Sequence, residues 1–154
     1  MKKVLFVCTH NGARSRIAEA FVKLCAAGKI ESHSSCFETG KIGPLPINVM
    51  REIGIDLSAK APESVFKRFK DKESYDYVIS ICHEAATEQC PIFKTNVDAL
   101  YAKAAERISW SIPDFKSISG TEEERQSKAR EIRDKIKSEV ISFLAQIGIS
   151  AEIA

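Results

Sequence analysis

Apolar residues along this chain occur in two kinds of pattern that alternate from one end to the other. Short blocks rich in β-branched and aromatic residues predict strands. Longer segments, in which apolar residues recur every three or four positions, predict helices with one buried face. The predicted strands are residues 3–7, 30–37, 75–81 and 107–110. The pattern therefore indicates strands and helices in alternation.

The predicted helices differ in how clearly their ends are marked. The apolar stripe of the first helix consists of Ile17, Phe21, Leu24 and Cys25. The last helix begins at Thr121 with a capping pattern, and its stripe runs through residues 132–147. Short helices are predicted over residues 48–53, 62–69 and 99–105, with residues 40–46 as a Gly/Pro-rich loop and Pro91 as a stop.

Alternating strands and helices are typical of βαβ units, whose strands lie parallel. The sequence therefore predicts an α/β fold with three layers, in which helices cover both faces of a four-stranded parallel sheet. No repeat or break in composition divides the chain, so we expect a single domain over residues 1–148 and a C-terminal tail over 149–154. The polar segments after three of the strands are expected to meet at the carboxyl edge of the sheet, where ligands bind.

Composition and charge narrow the class of protein. The 154 residues are 29% charged and 44% apolar, and the net charge of +2 argues against nucleic acid or an anionic membrane as the main partner. No apolar run approaches the roughly 20 residues of a membrane span, and the first apolar segment is too short for a secretory signal. We therefore expect a cytoplasmic protein. Its five cysteines, an odd number, favour reduced thiols over a structural disulfide framework.

The segment after the first predicted strand has the residues of an oxyanion-binding loop. It reads Cys8-Thr9-His10-Asn11-Gly12-Ala13-Arg14-Ser15. A loop that leads into a helix offers backbone N–H groups and the positive end of the helix dipole, which favour a thiolate at Cys8 and a bound oxyanion. Arg14 can hold two oxygens with its planar fork, and Ser15 can hydrogen-bond the sulfur. A buried strand-end cysteine near a surface arginine would show the same spacing, but the flanking strand and helix favour the loop.

This loop and its position carry a family resemblance. Cys-x5-Arg-Ser close to the N-terminus, in a chain of this length, resembles the low-molecular-weight tyrosine phosphatase family, and the resemblance covers nearly the whole chain. Residues 54–58 resemble the family segment after the second helix. The resemblance implies a flavodoxin-like architecture and a general acid at Asp114. Here Pro113 precedes that aspartate and Phe115 follows it, whereas the family acid is followed by proline.

Two further cysteines distinguish between the branches of this family. One branch hydrolyses phosphotyrosine. The other, the arsenate reductases of the thioredoxin-coupled type, has an additional cysteine pair whose second member precedes proline. Cys82, Cys90 and Pro91 match this pattern, although seven residues separate the thiols where the reductases more often have six. The resemblance therefore implies an arsenate reductase, with phosphate and sulfate as mimics of its substrate.

The resemblance also implies a reaction. Cys8 attacks arsenate, Cys82 attacks Cys8 and releases arsenite, and Cys90 then forms a disulfide with Cys82. Thioredoxin or a glutaredoxin-type protein would reduce that disulfide. Two alternatives stay open. A phosphatase would hydrolyse phosphate monoesters through a phospho-cysteine at Cys8, with Asp114 as the acid. A non-enzymatic module would bind oxyanions or sense redox state.

Four further residues are expected to bind an ion or to contribute to the core. Asn11 and Glu19 match positions that help to bind a potassium ion in the reductase branch, so a potassium site is possible in principle, although no cofactor is expected to be required. Cys25 lies on the stripe of the first helix and is expected in the core. Cys36 lies in the second predicted strand and is expected to be structural.

Overall fold

The computed structural model of the chain describes residues 1–10, 13–38, 40–59, 63–66, 74–83, 90–101, 103–104 and 106–151. Its strands are β1 Lys3–His10, β2 Glu31–Glu38, β3 Tyr77–Cys82 and β4 Glu106–Ser111. Its helices are α1 Ala13–Cys25, α2 Pro44–Arg51, α3 Cys90–Leu100 and α4 Glu122–Gln146. Single 3-10 turns lie at Leu57–Ala59 and Phe115–Ser117.

The four strands form one parallel sheet in the order β2-β1-β3-β4. β1 and β3 lie in the middle, and both are buried on both faces, as their apolar sequences predict. Because all four strands run the same way, their carboxyl ends meet at one edge. The predicted four-stranded parallel sheet is confirmed, and so is the position of Cys8, Cys82 and Asp114 at its carboxyl edge.

Two apolar clusters cover the two faces of the sheet. The first cluster includes Phe6, the buried stripe of α1 and that of α4, with α2 contributing Val49 and Met50. The second cluster includes Leu5 and Val7 from β1 together with Phe93 and Val97 from α3. Neighbouring residues of β1 point to opposite clusters because side chains alternate along a strand. The helices therefore lie on both faces, which gives the predicted three layers.

The second helix differs from the prediction at both ends. A loop over residues 40–46 and a helix over 48–53 were expected, but α2 spans Pro44–Arg51. Proline ends a helix when it lies in the interior, but it is well tolerated in the first turn, where the N–H groups have no intrahelical partner. Pro44 and Pro46 therefore begin this helix instead of preventing it.

The third helix was also predicted in the wrong place. Pro91 was expected to stop the preceding segment and residues 99–105 to form a short helix, but α3 spans Cys90–Leu100. Pro91 again lies in the first turn. Of the helix predicted over 62–69, the structure describes residues 63–66, where Ser64 forms an isolated parallel bridge with Cys36 and Val65 packs in the second cluster. The rest of that prediction lies outside the described residues.

The last helix follows its prediction closely. Thr121 Oγ1 accepts a hydrogen bond from the Glu124 backbone N–H at 3.2 Å, which is the predicted cap. Ile132, Ile136 and Val140 are buried on the predicted stripe. Within the described ranges, no helix is both long and apolar enough to cross a membrane.

Candidate active site

Cys8 and Ser15 meet where β1 turns into α1. Their Sγ and Oγ atoms lie 3.3 Å apart in a hydrogen bond, and both side chains are fully buried. Ala13 begins the helix and is buried beside them. The structure thus brings together the two ends of the predicted oxyanion loop. Asn11, Gly12 and the side chain of His10 lie outside the described residues, so their part in the loop stays a prediction.

Arg14 is the largest fully buried side chain of the described chain, and its guanidinium is anchored from two sides. Nη1 donates to the Ile112 carbonyl oxygen at 3.0 Å, and Nη2 donates to Thr9 Oγ1 at 2.9 Å. A buried charge is costly without such partners. The sequence pattern did not indicate the Ile112 contact, because a backbone carbonyl 98 positions away leaves no local signal.

Asp114 lies beside Arg14, three residues after the end of β4. Its Oδ2 is 3.8 Å from Arg14 Nη2, and its side chain is only 14% exposed. Oδ1 accepts from the Lys116 backbone N–H at 3.5 Å, and so caps the 3-10 turn that follows. The structure therefore places a carboxylate next to the arginine of the loop, as the sequence predicted.

Cys82 ends β3 on the strand next to Cys8, but it faces the other way. Cys8 is in register with Ile81, one residue before Cys82, and both Cys8 and Ile81 pack in the first cluster. Cys82 packs in the second cluster, is 1% exposed and takes part in a disulfide bond. The structure thus brings the Cys82 backbone to the site but not its sulfur. Cys90 is the first residue of α3, and its side chain lies outside the described residues.

Cys36 lies directly across from Cys8 in the register of β1 and β2. Both residues pack in the first cluster, and both are free thiols, as is Cys25. Burial, and then the neighbouring Cys8, raise the pKa of Cys36 to about 12. Its Sγ donates weakly to the Glu63 carbonyl oxygen at 3.6 Å. Cys36 is therefore a protonated, buried thiol next to the candidate nucleophile.

The surroundings of Glu19 bear on the expected potassium site. Glu19 Oε1 accepts from Ser34 Oγ at 3.1 Å and lies 3.7 Å from Arg16 Nε. Its Oε2 lies 3.5 Å from Lys23 Nζ. One carboxylate thus faces two cations of the chain itself. A potassium ion is held by oxygen ligands, and at Glu19 it would compete with these two cations, so the described part of the expected site does not favour it. Asn11, the other expected ligand, lies outside the described residues.

A solvent-facing cleft adjoins Arg14 on the side of Asp114. It has a volume of about 240 Å³ and is lined by Ala13, Asp114, Lys41, Lys116 and Arg125, among others. Three cations outnumber the one carboxylate in this lining, which favours the approach of an anion. The charge of this lining thus suits a small anion.

The fold is an α/β fold with a parallel sheet, and its first strand-to-helix turn carries a buried cysteine, arginine and serine. These features define the class of phosphatase-like proteins with an oxyanion-binding loop. The family follows from comparison with known sequences. A profile of the low molecular weight phosphotyrosine protein phosphatases matches residues 3–152. The chain belongs to this family.

Relatives within the family confirm the resemblance that the sequence indicated. The arsenate reductase of Halalkalibacterium halodurans is 30% identical over 142 residues, which is 92% of this chain and 94% of that protein. The glutaredoxin arsenate reductase of a Synechocystis species is 43% identical over 82 residues, 53% of this chain and 61% of that protein. A solved arsenate reductase in the phosphate-binding state has a TM-score of 0.71 and 29% identity, and the match covers 96% of this chain and 100% of that one.

Proposed function

We propose that the protein is an arsenate reductase that uses Cys8, Cys82 and Cys90 as a thiol relay. The disulfide at Cys82, on the strand next to that of Cys8, is the observation that carries this proposal. Hydrolysis of a phosphate ester needs no second thiol, whereas reduction of arsenate needs two electrons, which a pair of thiols supplies when it becomes a disulfide. The arsenate reductase of Halalkalibacterium halodurans matches this chain over nearly its full length, which supports the same reaction here.

Arsenate would bind at the turn between β1 and α1, because it is a tetrahedral oxyanion like phosphate. The guanidinium of Arg14 has five N–H donors, enough to hold oxyanion oxygens while it keeps its contact with the Ile112 carbonyl. Backbone and side-chain donors of the loop would hold the remaining oxygens. The proposed set is Thr9, His10, Asn11, Gly12, Ala13, Arg14 and Ser15.

The chemistry proceeds in three attacks by sulfur. First, the Cys8 thiolate forms an S–As bond, and an arsenate oxygen leaves as water after protonation, for which Asp114 is the nearby acid. Second, the Cys82 thiolate attacks the Cys8 sulfur. An S–S bond forms, the S–As bond breaks, and its electron pair stays on arsenic, which leaves as arsenite. Third, the Cys90 thiolate attacks the Cys82 sulfur and releases the Cys8 thiolate.

The proposed relay ends with a disulfide at Cys82 and a free thiol at Cys8. Cys82 is in a disulfide while Cys8 is a free thiol. In the proposed relay the partner of Cys82 is Cys90, whose side chain lies outside the described residues; Cys25 and Cys36 are free thiols. The Cys82 sulfur faces the second cluster in this state, so it must turn to the opposite face of the sheet before it can attack Cys8. The relay thus includes a movement at the end of β3.

A thiol protein of the thioredoxin or glutaredoxin class would reduce the Cys82 disulfide and return the enzyme to its starting state. The glutaredoxin arsenate reductase among the relatives supports a donor of this kind. Such donors operate in the reducing cytoplasm, which is where we place the protein, as one catalytic domain over residues 1–148 with a tail over 149–154.

Arsenite production by cysteine variants tests the relay. Cys8→Ser should lower it at least about a thousandfold, because the nucleophile is lost. Cys82→Ser should also release no arsenite, whereas Cys90→Ser should release one equivalent and then accumulate a Cys8–Cys82 disulfide, visible by mass spectrometry. Cys25→Ala removes a thiol of α1 outside the site and is the matched control. Thioredoxin and glutaredoxin, each with its own reductase system, are compared as donors.

The same variants separate reduction from hydrolysis. The carboxylate of Asp114 near Arg14 also suits a phosphatase, so aryl phosphate hydrolysis is measured in parallel. For a reductase, arsenate reduction should be the more efficient reaction and should require Cys82. The proposal fails if Cys82→Ser reduces arsenate at the parental rate, or if hydrolysis dominates and Asp114→Asn lowers it by about 10²–10⁴-fold while Cys82→Ser does not.

A further inference from the structure

We propose that Arg16 takes the place of a bound monovalent cation, so that the oxyanion site of this chain works independently of potassium. Arg16 follows directly after Arg14 and Ser15 in the first turn of α1, and it is only 8% exposed. Its guanidinium lies 3.7 Å from the Glu19 carboxylate, which is itself 4% exposed. The chain thus supplies its own buried positive charge at this position.

Among the described residues, positive side chains already compensate the charge of Glu19. One negative carboxylate faces the positive groups of Arg16 and Lys23, both within 4 Å. Arg16 and Glu19 are both buried, so salt screens their attraction much less than it screens the contact with Lys23, whose side chain is 62% exposed. A potassium ion would therefore meet repulsion from Arg16 at the same oxygen atoms that it requires.

Arg16 and Glu19 also connect the oxyanion site to the second strand. Glu19 lies one helical turn after Ser15, whose hydroxyl contacts the Cys8 sulfur. Glu19 accepts from Ser34 Oγ through its carboxylate, and its main-chain oxygen accepts from Ser32 Oγ at 3.2 Å. These contacts hold the first turns of α1 against β2. Arg16 is therefore a positioning residue, which acts on the site by fixing Glu19.

The first test compares salts and requires no substitution. The melting temperature of the wild-type protein, and its calorimetric affinity for inorganic phosphate, are measured in potassium, sodium and choline chloride at equal ionic strength. Both quantities should be the same in the three salts. A saturable rise in melting temperature that only potassium produces would show that an ion binds despite Arg16, and it would overturn the proposal.

The second test removes the charge. In Arg16→Gln, the affinity for phosphate in choline should fall about tenfold and should recover in potassium with a saturable dependence. Arg16→Lys keeps the positive charge, so its affinity for phosphate should be the same in all three salts. Arg51→Gln, an exposed arginine at the end of α2, is the matched control. If Arg16→Gln binds phosphate like the wild type in all three salts, the proposed role of Arg16 is wrong.

These measurements do not depend on arsenate reduction. They follow phosphate binding and melting, so the cation proposal can fail while the thiol relay holds. Equally, a chain that does not reduce arsenate can still show the salt behaviour expected here.

Discussion

Cys8 and Cys36 show how much two identical residues can differ when their surroundings differ. They are partners across β1 and β2 and pack in the same apolar cluster, yet the Cys8 sulfur is hydrogen-bonded to the Ser15 hydroxyl, whereas the Cys36 sulfur donates weakly to the Glu63 carbonyl oxygen. The raised pKa of Cys36 keeps its thiol protonated at neutral pH. A protonated thiol is a poor nucleophile. The expectation of a structural role for Cys36 stays a prediction, and its raised pKa agrees with that role.

The raised pKa of Cys36 predicts a loss of stability at alkaline pH. The unfolded thiol ionises near pH 8.5, whereas the folded one keeps its proton to about pH 12, so the folded state binds more protons in between. The free energy of unfolding should therefore fall with rising pH, by up to about 1.4 kcal/mol per pH unit from this group. Cys36→Ala lacks an ionisable group there, and its stability should fall less steeply.

Urea unfolding between pH 8 and 10.5, with reductant present, measures this difference. Cys25→Ala is the comparison: burial also raises the pKa of Cys25, but Lys137 opposes that shift, so this variant should change the slope less than Cys36→Ala does. Equal slopes for the wild type and Cys36→Ala would contradict the assignment of the proton to Cys36.

Some helix ends could be predicted from neighbouring residues in the sequence, whereas others depend on contacts with distant parts of the chain. The start of α4 could be predicted because Thr121 caps its own helix through a contact three residues away. The start of α2 was predicted wrongly because its prolines are tolerated in the first turn, and distant contacts hold its other end. Arg130 and Arg133 of α4 both donate to the Glu52 carboxylate just after α2, and Arg133 also donates to the Val49 carbonyl oxygen.

The cap of α4 predicts a measurable effect at the level of the element. Thr121→Ala removes the acceptor for the Glu124 N–H, which should cost about 1 kcal/mol of stability. For a chain of this size the melting temperature should fall by roughly 2–4 °C. Thr121→Ser keeps a hydroxyl and should remain close to the wild type. Thermal unfolding followed by circular dichroism measures both, and a Ser variant as unstable as the Ala variant would exclude capping as the cause.

At the scale of the whole molecule, Arg14 joins separate strands at the carboxyl edge of the sheet. It lies in the first turn of α1 and donates both to Thr9 of β1 and to the Ile112 carbonyl just after β4, so its contacts span β3, the strand that ends at Cys82. An oxyanion bound at Arg14 would therefore contact a side chain that is hydrogen-bonded to two separate parts of the fold. Ligand binding at this position is expected to stabilise the entire domain.

Phosphate should accordingly raise the melting temperature of the protein. A ligand at one hundred times its Kd stabilises the folded state by about 2.7 kcal/mol. That corresponds to roughly 5–10 °C for a chain of this size. Arg14→Lys keeps the charge but loses the planar fork, so its shift should be much smaller. Arg51→Lys is the matched control, and differential scanning fluorimetry over a phosphate series is the measurement. A full shift in Arg14→Lys would show that phosphate binds elsewhere.

The features that could be predicted from the sequence are those that depend on neighbouring residues. The hydrophobic periods predicted the strands and the last helix, and the order of Cys8, Arg14 and Ser15 predicted the turn at which they meet. Strand pairing and helix packing, by contrast, place the Cys82 side chain on the other face of the sheet from Cys8, Cys36 across from Cys8, and the Ile112 carbonyl against Arg14. Strand register and helix packing join residues far apart in the chain, and no local pattern of side chains encodes those contacts.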